Sequence, residues 1–267
     1  MDEPLLSICL ITYNHQNSIK QAIESVLSQQ VAFSWSLVIA DDYSTDGTRD
    51  ILLEYKERYP DFIHLILQEK NVGPAKNWTD LITYPESKYV AYFEGDDYWI
   101  DPLKLQKQID FLENNPDYFL SFHNAVIKHD GTEKPFNKKF KKKTFTTKDL
   151  ILKPWFVPSA SIVFRNNNFT MPDWKNVNGD LAMLLIHSLN GKIHYIDEFM
   201  SVYNLATPSS SSKVVLSQRK IKRLYKLYNK KWRLLNYFDR YTNFKFAFYT
   251  SIKRLKIMGG FVRQLIK

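Results

Sequence analysis

The chain has 267 residues, 44% hydrophobic and 24% charged, with a net charge of +9 and a single cysteine. That balance excludes a disordered chain and an intrachain disulfide framework, and the length admits one large α/β domain with an appendage, or two small domains. The charge is uneven. Residues 213–267 hold 16 Lys and Arg against a lone acidic residue, Asp239, so this segment carries about +15 and residues 1–212 about −6. An acidic body disfavours a nucleic-acid-binding protein, and the two parts are expected to have different partners. Met1-Asp2-Glu3-Pro4 lacks a basic n-region, and no apolar run nears the roughly 20 residues of a membrane span. The expectation is a cytoplasmic protein, at most peripheral on the inner face of the plasma membrane.

In chain order, Ser7–Thr12 is nearly all apolar, as in a strand buried on both faces of a parallel sheet. Cys9 within it reads as a small core residue, not a nucleophile. After the polar turn Tyr13–Asn17, the apolar residues Ile19, Ala22, Ile23, Val26 and Leu27 fall at helical spacing, with Asn17 or Ser18 as N-cap. A strand at Ser36–Ala40 leads into Asp41–Thr48, and a helix is expected over about 49–59. Ile63–Leu67 reads as a third strand, 75–82 as a short helix and Tyr89–Phe93 as a fourth strand, which ends in Glu94-Gly95-Asp96-Asp97. A helix is expected near 103–114. The lysine-rich stretch 134–148 reads as an exposed loop, Ser161–Phe164 and Lys192–Ile196 as strands, and Asp180–Leu189 as a helix. Ser209–Ser212 reads as a linker before two basic, aromatic-rich helices near 221–235 and 244–257. Strands alternating with helices imply βαβ units and a mostly parallel sheet flanked by helices. Polar clusters then fall at the carboxyl ends of strands one, two and four, the edge where open α/β sheets bind ligands.

Three carboxylates in the four residues 94–97 repel one another and call for a cation or hydrogen-bond donors. Carboxylate oxygens are hard ligands suited to Mg²⁺ or Mn²⁺ shared with phosphate oxygens. In the second acidic turn, Asp41-Asp42, a carboxylate can accept the N3–H of a uracil ring. Asp46 reads more simply as a helix cap, and Asp180 has a rival reading as a helix N-cap. His187 and His194 read as structural or exposed. Trp99, Trp155 and Trp174 can stack on sugar rings, although tryptophan more often packs.

Ser7–Asn14, Asp41–Thr48, Glu69-Lys70-Asn71-Val72-Gly73 and Glu94–Trp99 resemble the motifs of family-2 glycosyltransferases of the GT-A fold, in the same order and at similar spacing. The resemblance is specific over about residues 5–125 and weaker to about 212. It implies a GT-A domain over 1–212, with a nucleotide-binding part to about 125 and an acceptor part over about 126–212, followed by a helical extension over 213–267. It implies that Ile11, Tyr13, Asp42, Asn71, Lys76, Glu94 and Asp96 hold the nucleotide sugar, that Asp97 takes Mn²⁺ or Mg²⁺, and that Asp180 in Asn178-Gly179-Asp180 is the general base.

Two departures stand out. Gly179 replaces the Glu that often precedes the base. Tyr203-Asn204-Leu205-Ala206 also lacks the Arg and His of the usual Tyr-Arg-x-His segment. The implied function is inverting transfer from a UDP-sugar to a saccharide or lipid-linked acceptor in bacterial cell-surface polysaccharide or glycolipid assembly. The basic tail can lie on an anionic membrane surface or pack on the body, and nucleic acid is not an expected partner. Rival readings are a nucleotide-sugar-binding module that has lost catalysis and a metal-dependent nucleotidyltransferase. The latter is disfavoured by the lack of a Gly-rich basic phosphate loop.

Overall fold

The computed structural model describes residues 3–167, 172, 174, 177, 179–205 and 220–266. Its elements run β1 (Leu6–Thr12), α1 (Ile19–Leu27), β2 (Trp35–Asp41), α2 (Thr48–Arg58), β3 (Ile63–Leu67), α3 (Pro74–Ile82), β4 (Tyr89–Glu94), β5 (Tyr98–Trp99) and α4 (Lys104–Asn114). They continue with β6 (Tyr118–His129), β7 (Thr132–Pro135), β8 (Thr144–Phe145), α5 (Thr147–Leu152), β9 (Ile162–Arg165), α6 (Gly179–His187), β10 (Lys192–Asn204), α7 (Lys220–Tyr241) and α8 (Ala247–Ile266).

The strands order as β3-β2-β1-β4-β9-β6-β10-β5, with β7 on β6 and β8 on β10. The pairs β3-β2, β2-β1, β1-β4 and β6-β10 are parallel, while β9 runs against both its neighbours. Side chains alternate across this sheet and divide the core in two. Ile8 and Leu10 join Ile19, Ile23, Leu52, Leu105 and Ile109 beneath α1, α2 and α4. Cys9 and Val38 face the other way, toward Leu81 of α3, Leu150 of α5, Leu184 of α6, and Leu234 and Ile257 of α7 and α8. The all-apolar composition of β1 follows from this: a strand covered by helices on both faces has no wet side. Cys9 is fully buried, and burial pushes its thiol well up, in keeping with a packing role.

Three departures from the sequence expectations have physical reasons. Residues 118–129 form the long strand β6, whose inward Ser121, His123 and Asn124 break up the apolar pattern that marks the other strands. The lysine-rich region folds in part: β7 pairs with β6, β8 pairs with β10, and α5 starts on a capping box between Thr146 and Asp149. Finally, β10 runs past Ile196 to Asn204. The polar Asp197-Glu198 looks like a strand end, but it falls where the register with β6 shifts, so a bulge carries it and pairing resumes. The proposed linker 209–212 lies outside the described residues. No described helix is long and apolar enough to cross a membrane.

Candidate active site

Parallel pairing brings the polar strand ends together. Thr12 lies opposite Asp41 on β2, and Ile11 lies opposite Glu94 on β4. From β1 the chain steps outward to β2 and β3, then returns to β4 on the other side of β1. That reversal opens a crevice at the carboxyl ends of β1 and β4, the switch point where α/β sheets take ligands.

The loops around the crevice are stitched to one another. Asn14, in the left-handed region at φ 54°, accepts the Thr45 amide on its side-chain oxygen (2.8 Å), and its own amide donates to Ser44 Oγ (2.9 Å). The His15 amide donates to Thr48 Oγ1 and the Gln16 amide to Asp46. Asp46 also accepts the first-turn amide of α2 at Thr48 (2.9 Å), as its cap reading expects. Ser18 stands at the N-cap position of α1, yet its hydroxyl donates to the Gly95 carbonyl (2.9 Å) and ties this loop to the acidic motif. Gly95 admits no side chain: a Cβ would lie 2.9 Å from His15 Nδ1 and 3.1 Å from Thr12 Oγ1.

The two acidic residues after β2 differ in role. Asp41 is fully buried and receives Arg49 Nε (2.6 Å) and the Ser44 amide (3.0 Å), an internal ion pair that fixes the turn. Asp42 Oδ1 receives the amides of Val72 (2.7 Å) and Gly73 (3.2 Å), and Asn71 Nδ2 donates to the Asp42 carbonyl (3.2 Å). Gly73 makes this possible by taking φ +86° immediately before α3. Burial pushes the Asp42 carboxyl up despite those amides. Tyr13 is exposed at the end of β1.

Around β4 the carboxylates converge. Burial, then Asp180, then Asp96 push the Glu94 carboxyl well above the usual range. Asp97 is pushed well up by burial and by the charges of Asp96 and Glu94. One of its oxygens accepts the Asn204 amide (2.9 Å), while Oδ2 is buried with no hydrogen-bond partner. Asp180, in the first turn of α6, is raised to about 6 by burial. Burial, and then the charges of Glu94, Asp97, Asp96 and Asp180, push the Tyr203 hydroxyl up, so tertiary folding gathers four acids from two separate segments around one ring. Asn178 lies outside the described residues.

The family model described as glycosyl transferase family 2 matches residues 7–170, over half of the chain and across this whole β1–β4 edge. The chain belongs to that family. A relative, the glycosyltransferase TuaG of Bacillus subtilis, is 31% identical over 214 residues, covering 79% of this chain and 82% of TuaG, and is named for teichuronic acid biosynthesis. The Mycobacterium tuberculosis protein Rv1520 is 32% identical over 204 residues, covering 74% of this chain; those residues span only 58% of that relative. The GT-A fold is matched by Staphylococcus aureus TarS in complex with UDP-GlcNAc, with a TM-score of 0.62 over 97% of this chain and 81% of that one, at 18% identity.

Within this family-2 domain, the structure gathers Ile11, Asp42, Asn71, Glu94, Asp96, Asp97 and Asp180 at the edge, with Tyr13 beside them. Lys76 does not join the carboxylates. It is exposed on α3, where its ammonium pairs with Asp80 one turn on. The tryptophans part ways. Trp99 is buried and donates from Nε1 to the Ala160 carbonyl (2.8 Å), which removes it from sugar stacking, and Trp174 stacks on Tyr237. Trp155 remains exposed. His187 packs between Phe119 and Phe164, and His194 stacks on Phe111.

Two residues escaped the sequence reading. His15 Nε2 lies 3.9 Å from Asp96, and burial lowers its pKa against the pull of the nearby acids. Asn204 binds Asp97 through its main chain and the Asp96 carbonyl through its side chain, in the segment that lacks the Arg and His. The polar turn after β1 was a signal for His15. For Asn204 the signal was only the departure from the Tyr-Arg-x-His segment, because its contacts depend on how far β10 extends.

Proposed function

We propose that this chain is an inverting glycosyltransferase that moves a sugar from a UDP-sugar, with Mn²⁺ or Mg²⁺, to an acceptor hydroxyl in cell-surface polysaccharide or glycolipid assembly. The observation that carries this reading is the buried, partnerless Oδ2 of Asp97 inside a cluster of carboxylates. A buried carboxylate oxygen without a donor is costly, and a cation removes that cost. Among the described residues no three His, Cys, Asp or Glu side chains are arranged to hold a metal by themselves. That suits an ion held by one or two carboxylates and completed by donor phosphates. When bound, the ion supplies neutralisation of the charge growing on the departing diphosphate.

The chain's own groups do the rest. Asp97 and Asp96 present oxygens to the diphosphate side. Asp42 and Asn71 close the base end, and Asp42 recognises uracil. Asp180, raised to about 6, is ionised at neutral pH yet basic enough to take the proton of an attacking hydroxyl. A single base on the acceptor side implies one displacement and inversion at the anomeric carbon. The UDP preference is supported by TarS, a fold neighbour holding UDP-GlcNAc, and the surface-polymer setting by TuaG. Exposed Phe244 and Phe248 beside the basic charges of α7 and α8 support contact with an anionic membrane.

The deciding experiment is a panel of UDP-, GDP- and CDP-sugars, scored for binding and for hydrolysis with and without Mn²⁺. Mn²⁺-dependent turnover of a UDP-sugar is expected. A preference for GDP-sugars overturns the uracil assignment, and binding with no turnover of any donor or acceptor overturns the transferase reading.

A further inference from the structure

Behind the helix that carries Asp180, α5, the segment 153–157, α6, α7 and α8 enclose a cavity of about 120 Å³. Its walls are apolar, with Leu181 and Leu185 from α6, Leu234 and Leu235 from α7 and Ile257 from α8. Three lysines share its lining: Lys153, Lys231 and Lys253. Lys253 Nζ donates to the Lys153 carbonyl (2.7 Å), which brings the two segments together. Burial and the charges of Lys231 and Lys256 lower the Lys253 ammonium to about 8. Among the described residues no carboxylate pairs with Lys153, Lys231, Lys253 or Lys256. A greasy cavity bordered by crowded, unneutralised ammonium groups is complementary to an apolar chain that ends in an anion.

We propose that this cavity binds the first part of the hydrocarbon chain of a phosphate-headed lipid, with the phosphate held by Lys153, Lys231 and Lys253. At about 120 Å³ it holds a short stretch of chain and not a whole lipid. Elsewhere on α8, on sides of the helix turned away from the cavity-lining Ile257, Leu255, Met258 and Phe248 have 68%, 53% and 72% of their surface exposed. These apolar side chains on the same helix favour a membrane lipid over a free phosphate compound as the source of the anion. Leu181 is the residue after Asp180, so a lipid seated here lies against the helix that carries the candidate base. A link to the acceptor rests on the transferase reading; the binding itself does not.

The test titrates farnesyl phosphate, farnesol and inorganic phosphate separately into the full chain, below micelle-forming concentrations. The expected result is saturable binding of farnesyl phosphate, about 10-fold or more tighter than either farnesol or phosphate, with that advantage lost in the Lys231→Gln/Lys253→Gln double variant. In the unmodified chain, a diazirine-bearing alkyl phosphate should crosslink to peptides from 150–157, 181–185 or 231–257. Equal binding of farnesol, unchanged binding in the double variant, or crosslinks confined elsewhere overturns the proposal. UDP-sugar binding measured on the same samples separates the two claims. Farnesyl phosphate binding without nucleotide-sugar binding refutes the transferase reading and leaves this one standing, and the reverse refutes this one alone.

Discussion

Asp97 and Asp180 owe their chemistry to burial, and burial makes them testable one at a time. Removing the Asp97 carboxylate takes away the partnerless oxygen that invites a cation. Asp97→Ala is expected to lose the gain in UDP affinity that Mn²⁺ confers, as read by calorimetry with and without the ion; an undiminished gain refutes the metal assignment. Asp180→Asn should keep donor binding and lower transfer by about 10²-fold or more, the scale of a lost general base. In the parent, the acid limb of the kcat profile should fall near pH 6, because the carboxyl must be ionised to accept a proton. The same shift has a sign for stability. The folded-state pKa of Asp180 is raised from 3.8 to about 6, so the folded chain holds this proton more tightly than the unfolded one. Stability from this group is therefore lost as pH rises through that window. Without metal, Asp180→Asn should raise Tm at pH 8 and leave it nearly unchanged below about pH 4. The sequence pointed to both aspartates through their motifs. It did not show the raised pKa values, which arise from neighbours that are remote in the chain.

At the level of elements, the site depends on close approach between loops that leave neighbouring strands. Gly95 illustrates this. It sits in an acidic turn that reads in sequence as a ligand cluster, and its lack of a side chain is what lets His15 and Thr12 pack beneath that turn. Gly95→Ala should displace His15 and destabilise the fold by about 1–3 kcal/mol, the usual cost of overpacking, as measured by urea unfolding. Weakened nucleotide binding in buffer where the variant is fully folded would show that the loop has moved. Asn204 plays the complementary part from the far side. Asn204→Ala keeps the main-chain bond to Asp97 and deletes the side-chain bond to the Asp96 carbonyl. It should cost about 1 kcal/mol in stability and raise KM for the donor more than it lowers kcat; an unchanged KM would make Asn204 purely structural. Strands β1 to β4 were legible as short apolar runs that end in polar turns, and helices α1 to α4 as the stretches between and after them. β6 and the second half of β10 were not, since interior polar residues and a bulge interrupt their period.

For the molecule as a whole, the basic C-terminal segment is integrated with the body. Leu234, Leu235, Phe238 and Ile257 join the core on the face of the sheet that also holds α3, α5 and α6. The buried Asp239 fastens α7 to α8, receiving Thr250 Oγ1 (2.8 Å) and Arg254 (2.6 Å). Each buried side chain of this size contributes about 1.5–3 kcal/mol, and a domain is held by only about 5–15 kcal/mol. Truncation after Ser212 should therefore yield an aggregating or unfolded body, seen by size exclusion and circular dichroism; a stable, monodisperse product would mean that α7 and α8 are dispensable. Packing also divides the aromatic residues that sequence alone groups together. Phe246 packs on Phe238 and Trp232 lies under Arg254, while Phe248 stays exposed. The full chain is expected to sediment with anionic vesicles and poorly with neutral ones, and a Phe248→Ala variant should lose the salt-resistant part of that binding. Sequence by itself determined the alternation of strands and helices, the acidic turns at the strand ends and the charge asymmetry, because these follow from local period and composition. Only the tertiary structure decided that Asp41 is an internal ion pair while Asp97 keeps a bare oxygen, that Asp180 joins Glu94 and Asp96, and that the basic helices close a cavity. Those outcomes depend on which distant segments are buried against each other, and burial sets the strength of every charge involved.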